Sequence, residues 1–133
     1  MKQIFERGNQ KVFKKTVSQT DLAIFESGKV HDVYATFAIA RDAEWSGRLF
    51  VLDMKEEDEE GIGTFIHVEH KSPAFLNAEI IYTAIFEEIS DKGEIITSFE
   101  AYCDTRLLAK GSQGQRILKK QKIDEIFKQY QSK

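Results

Sequence analysis

One cysteine, one proline and one tryptophan are all that this chain of 133 residues holds of those three residue types. A single thiol, Cys103, excludes an intrachain disulfide and fits a reducing, cytoplasmic setting. No apolar run approaches the ~20 residues needed to cross a bilayer, so no membrane partner is expected. The opening segment MKQIFERGNQ lacks the apolar stretch of a secretory signal. Positive charge is not in excess either: 19 Lys and Arg against 22 Asp and Glu leave −3 at pH 7, which argues against nucleic acid as the main partner. Repeats, linkers and low-complexity tracts are also missing. What remains is 41% apolar and 31% charged residues, the balance of an ordinary soluble domain with a real core, expected to span 1–133.

The stretch VYATFAIARDAEWSGRLFVLDM, residues 33–54, is the longest that reads as one helix. At about 100° per residue, Ile39, Ala40, Ala43, Gly47, Phe50, Val51 and Met54 share one side, with Phe37 at its border. Ala38, Trp45, Leu49 and Leu52 form a second apolar side. Arg41 with Arg48, and Asp42 with Ser46 and Asp53, fill two polar seams between them. A helix apolar on two sides is expected to be mostly buried, with a sheet on one side and something else on the other. Glu44 projects between Ala40, Val51 and Phe37, at the edge of the first side. A carboxylate there is costly unless it is paired, protonated or used. An ion pair with Arg41 or Arg48 is the structural alternative. The helix is expected to begin after Asp32 or at Thr36, each a fair N-cap, with Thr36 preferred.

Around this helix the alternation of apolar and polar residues marks strands. Residues 9–17 form a basic strand whose Lys11, Lys14 and Lys15 suit a sheet edge. Residues 18–32 read as a loop or short turns, with Leu22, Ala23, Ile24, Phe25 and Val30 available to cover a pocket. The acidic run KEEDEE, residues 55–60, reads as a solvated loop. In the strand GTFIHVEH, residues 63–70, His70 shares the inward face with Ile66 and Val68, whereas His67 and Glu69 face outward. His67 and His70 therefore fall on opposite faces and cannot share a metal, so no metal site is expected. Strands follow at 77–89, 94–103 and 106–118, the first two joined through Asp91-Lys92-Gly93 and the last with Gly111 and Gly114 as candidate bends. Ile123, Ile126, Phe127 and Tyr130 recur at helical spacing in a short amphipathic C-terminal helix. One long, mostly buried helix wrapped by an antiparallel sheet of about five strands is the hot-dog arrangement of the α+β class. One sheet covers both helix sides poorly, so a homodimer is the natural completion, with further pairing into tetramers left open.

Residues 33–45, VYATFAIARDAEW, followed by residues 63–70, GTFIHVEH, resemble the fluoroacetyl-CoA thioesterase family of the hot-dog superfamily. That family has a Thr, a Glu eight residues on followed by Trp, and a strand that begins Gly-Thr and ends in His. The resemblance covers roughly residues 30–118. It implies Thr36, Glu44 and His70 as the catalytic set and Gly63 beside the acyl group. The family's last strand carries a His and an Arg facing the acyl group. Here KGSQGQRIL places Gln113 and Gln115 there, with Arg116 one position off. The resemblance therefore carries thioester hydrolysis but not fluoroacetyl selectivity or the identity of the acyl group.

The expected chemistry is hydrolysis of a small or medium acyl-CoA, with coenzyme A part of the substrate and no separate cofactor. The N–H groups at the helix start, near Thr36 and Phe37, can stabilise an oxyanion. Glu44 would attack the carbonyl or remove a proton from water. His70 would orient Glu44, polarise the carbonyl or protonate the leaving thiolate. Thr36 would hydrogen-bond the carboxylate or the substrate. Phe37, Gly63, Gln115 and Arg116 are the substrate-binding candidates, and Lys71, Arg116, Lys119, Lys120 and Lys122 are candidates for the coenzyme A phosphates. Eight helical residues place Thr36 roughly 12 Å from Glu44. The two must meet by Thr36 lying outside the helix, through the substrate, or across a subunit interface. The rival readings are a non-catalytic acyl-CoA-binding or assembly module and, third, another acyl-CoA enzyme such as a hydratase.

Overall fold

The computed structural model describes residues 1–131. The chain runs β1 (Gln10–Thr16), a 3-10 turn (Gln19–Asp21), β2 (Leu22–Phe25), β3 (Gly28–Tyr34), α1 (Thr36–Met54), β4 (Glu59–His70), β5 (Glu79–Ile89), β6 (Glu94–Cys103), β7 (Arg106–Lys119) and α2 (Lys120–Gln131). Five strands form one antiparallel sheet in the order β1-β5-β6-β7-β4, and β2 pairs with β3 in a separate hairpin. The long helix, the five-stranded sheet around it and the short C-terminal helix are the hot-dog arrangement that the sequence pattern implies. Among the described residues no helix is long and apolar enough to cross a membrane.

The side of α1 that meets the sheet is set by its small residues. Ala38, Ile39, Ala43, Phe50, Val51 and Met54 are buried there, and Gly47 lies against Gln113 and Thr97. The core divides in two along this helix. Its N-terminal half packs with Tyr34, Ile80, Tyr82, Phe99 and Leu108, and its C-terminal half with Ala84, Phe86 and Ile95. The second apolar side behaves differently: Ala38 is buried, but Trp45 and Leu52 are each about 40% exposed in the single chain. Phe65 and Ile66 on β4, an edge strand, are exposed to a similar degree.

Three local expectations are corrected. Residues 18–32 are not simply a loop, because Gly28, at φ +109°, lets the chain reverse and β2 pair with β3. The acidic run is not wholly solvated: Glu59 and Glu60 open β4, and Glu59 is buried against the amino group of Met1 at 3.1 Å. Asp42 and Ser46 do not form a seam between two apolar sides, because both are buried. In helical projection Asp42 falls between Ala38 and Ile39, well inside the covered arc.

Gly111 of β7 lies tight against β4. A Cβ there would stand 1.9 Å from the carbonyl oxygen of His67 and 2.9 Å from the Phe99 ring. Backbone cannot yield as a side-chain tip can, so Gly111→Ala should destabilise the fold by about 1–3 kcal/mol, as overpacking does, or more. A urea-unfolding midpoint unchanged from the native value would show that the strands separate freely there.

Candidate active site

α1 begins at Thr36, but Thr36 is not its cap. Ala35 occupies that position in extended conformation, and no side chain caps the first turn. The Thr36 hydroxyl is instead hydrogen-bonded to His70 Nδ1 at 2.9 Å. His70 is the last residue of β4, held in register opposite Ala109 of β7, and it faces inward as the strand alternation requires. Its other ring nitrogen, Nε2, is buried and is the sole buried side-chain polar atom without a hydrogen-bond partner among the described residues. Such an atom costs free energy until something binds it.

Both residues line a cavity of about 590 Å³ between the start of α1 and the β2–β3 hairpin. Ala23, Phe25, Val33, Phe37 and Ala40 supply most of its apolar wall. Phe25 and Phe37 meet edge to face at its rim, with ring centroids 5.6 Å apart. The apolar residues between 18 and 32 thus cover a pocket, as their pattern suggests, but from a hairpin.

Glu44 and Gly63 form a second, separate pair. A Cβ on Gly63 would lie 3.0 Å from Glu44 Oε1, so the missing side chain is what admits the carboxylate. Glu44 does not line the cavity that holds His70, and it is exposed in the single chain rather than enclosed by apolar neighbours. The covered arc of α1 ends at Val51, and Glu44 stands just beyond it. Neither arginine pairs with it: Arg41 bonds Asp21 and Asp42, and Arg48 bonds Glu60 at 2.8 Å. Since Thr36 is inside the helix, it cannot fold back towards Glu44.

The remaining candidates divide. Phe37 is at the cavity, whereas Gln115 is buried elsewhere, its amide donating to Gln113 at 3.0 Å while Gln113 donates to Thr97 at 2.6 Å. Arg116 is exposed and points to the opposite face of the sheet from Gln115, because successive strand residues alternate. Lys119, Lys120 and Lys122 lie by the start of β4, a whole strand length from His70; Lys119 pairs with Asp58 at 2.8 Å. Of the basic candidates only Lys71 adjoins the His70 end, and it pairs with Glu69 at 3.1 Å. Alternation and proximity to strand ends had grouped residues from both ends of the sheet.

A buried network behind the cavity wall was not anticipated. Tyr34 belongs to the cavity wall, and its hydroxyl donates to Asp42 and lies 2.7 Å from the Tyr82 hydroxyl. Arg41 Nη2 donates to Asp42 at 3.0 Å and to Asp21 at 2.6 Å, which ties the approach to the hairpin to α1. Burial, then the Tyr82 hydroxyl and the Asp42 carboxylate, push the Tyr34 hydroxyl far above its ordinary value. Burial opposes ionisation of Asp21, but hydrogen bonds from Arg41, Ser18 and Lys15 outweigh it and hold the carboxyl down at about 2. The helical position of Asp42 was the available signal.

Residues 17–121 match the family model described as FlK, fluoroacetyl-CoA-specific thioesterase. Fold and sequence together define the class, a hot-dog thioesterase. The chain belongs to the FlK thioesterase family and is a thioester hydrolase. It is similar to a Thermus thermophilus hypothetical protein described as a thioesterase superfamily member, with 30% identity, 98% of this chain and 96% of that chain covered, and a TM-score of 0.92. FlK itself shares 15% identity at a TM-score of 0.85, covering 94% of this chain and 96% of that one. A hot-dog-like protein from Thermanaerovibrio acidaminovorans shares 16% identity at a TM-score of 0.85, covering 95% and 93% respectively. No curated protein matches.

The Asp21 carboxyl gives a pH test. Its folded value, about 2, lies below the ordinary 3.8, so its ionised partners stabilise the fold above about pH 4. That contribution should fade as pH falls from about 4 to about 2. In Asp21→Asn the corresponding drop in urea midpoint between pH 5 and pH 2 should shrink; an identical drop in both proteins would place the acid sensitivity elsewhere.

Proposed function

We propose that the chain hydrolyses acyl-CoA thioesters, with His70 and Glu44 acting at the thioester and the Thr36 hydroxyl hydrogen-bonded to His70 to hold its ring. The hydrogen bond between Thr36 and His70 at the cavity wall, which leaves Nε2 unpartnered, is the observation that carries this reading. With the Thr36 hydroxyl donating to Nδ1, the proton sits on Nε2. That N–H polarises the thioester carbonyl and then passes its proton to the departing coenzyme A sulfur. The uncapped first turn of α1 presents N–H groups and the positive dipole end to the developing oxyanion. Glu44 either attacks the acyl carbon or takes a proton from the attacking water. Both routes end in free acid and coenzyme A thiol, and single-turnover hydrolysis in H₂¹⁸O separates them by labelling the carboxylate of the enzyme in the first.

Glu44 reaches the thioester across a homodimer interface. Thr36 and Glu44 lie on one continuous helix, roughly 12 Å apart in rise, with Glu44 outside the cavity. A second copy packed along α1 about a two-fold axis near residue 40 brings residue 44 of each chain to residue 36 of the other. The exposed Phe37, Trp45 and Leu52 of α1 and Phe65 and Ile66 of β4 support such a contact, since they form apolar surface that a lone chain leaves wet. The reading needs no metal or redox cofactor, and a cytoplasmic setting is supported by the single cysteine, Cys103, which stays a free thiol.

Glu44→Gln and His70→Ala should each lower kcat/KM for acyl-CoA hydrolysis by at least ~10²-fold, the scale of a lost acid or base, while the folded circular-dichroism spectrum persists. Native-like thiol release from either variant would remove that residue from the reaction. Gly63→Val, which sets a side chain against the Glu44 carboxylate, should damage turnover more than thermal stability; equal activity would remove Gly63 from the site.

A further inference from the structure

Resting on that thioesterase reading, we infer that the substrate carries a neutral, apolar acyl group of about six to ten carbons, seated in the cavity beside His70. Size is the first argument. An apolar cavity of roughly 150 Å³ already accommodates benzene. The cavity here measures about 590 Å³, so a two-carbon acyl group would leave most of it unfilled, even with the end of the pantetheine arm inside.

Chemistry is the second argument. No lysine, arginine, aspartate or glutamate is among its lining residues. The Tyr34 hydroxyl is committed to Asp42 and Tyr82. The Thr36 hydroxyl is committed to His70 Nδ1. Within the chain that leaves His70 Nε2, which the thioester carbonyl uses, and His31, which is exposed on β3; the only charge that the proposed pairing adds is the Glu44 carboxylate, which would repel a second carboxylate. A dicarboxylic acyl group such as succinyl would bring a second carboxylate into a wall that holds no fixed countercharge for it. An alkyl chain meets Ala23, Val33, Phe37 and Ala40, and at the rim the paired rings of Phe25 and Phe37.

The test is thiol release by the native protein from acetyl-, butyryl-, hexanoyl-, octanoyl- and succinyl-CoA. Each added methylene should raise kcat/KM by up to roughly fourfold, the worth of its transfer from water. Octanoyl-CoA should therefore exceed both acetyl- and succinyl-CoA by at least ~10²-fold. Val33→Phe, which fills part of the cavity from β3, should lower the octanoyl-to-acetyl ratio by ~10-fold or more. A flat profile, or one that favours acetyl or succinyl, overturns the inference and leaves the thioesterase reading standing. If no thioester is cleaved, the catalytic reading fails instead. Calorimetry with a non-hydrolysable octanoyl-CoA thioether then decides the cavity: binding at least ~10-fold tighter than coenzyme A alone upholds the acyl site, and equal affinity removes it.

Discussion

The closeness of α1 to its sheet depends on Gly47. A Cβ at that position would fall 1.4 Å from the Gln113 side-chain nitrogen and 2.7 Å from the Thr97 hydroxyl. With hydrogen there instead, the helix settles over a buried amide whose donor is satisfied by Thr97 and whose oxygen accepts from Gln115. The polar side chains under the helix are thus paired with one another, which is the condition for keeping them there at small cost. On either side of this point the contact is apolar, and the core accordingly falls into two clusters. The direction in which α1 lies across the sheet, and therefore where its first turn ends up, follows from that contact.

That first turn brings together residues from three places in the chain. Thr36 comes from the helix, His70 from the far end of β4, and Phe25 and Val33 from the hairpin. The hairpin is tied down from behind, because Arg41 bridges Asp21 and Asp42 while Asp42 accepts from Tyr34. Charged groups and hydroxyls are spent on one another inside the wall, and the surface that faces the cavity is left largely carbon. A hydrophobic cavity beside a buried, unpaired imidazole nitrogen of His70 is the result.

Much of this was legible in the residues, and the failures have physical causes. Alternation in 94–103 and the Gly93 turn, with φ near 80°, placed β6 where it lies, because a strand covered on one face shows a clean two-residue period. The same period oriented His70 inward and Arg116 away from Gln115. The hairpin was obscured, since its exposed Ile24, Phe25 and Val30 have no regular inside and outside to betray pairing. Asp42 was hidden by its chemistry: a carboxylate suggests a polar seam, although its angular position lies within the covered arc. Glu44 presented the opposite difficulty. Its apolar neighbours in projection suggested enclosure, but how far a sheet wraps a helix is a property of tertiary packing that no helical wheel contains. The distance between Thr36 and Glu44 was legible, whereas their division between two locations was not.

The two edges of the sheet are unlike. β1 carries Lys11, Lys14 and Lys15 along its length, and Lys11 is bound to Asp53 at 2.5 Å. β4 has no lysine between Glu59 and His70 and exposes Phe65 and Ile66. Lysines on an edge repel an approaching strand, whereas an unguarded apolar edge invites one. Of the two borders of this sheet, one is thus fenced by charge against an added strand and the other is left without a fence.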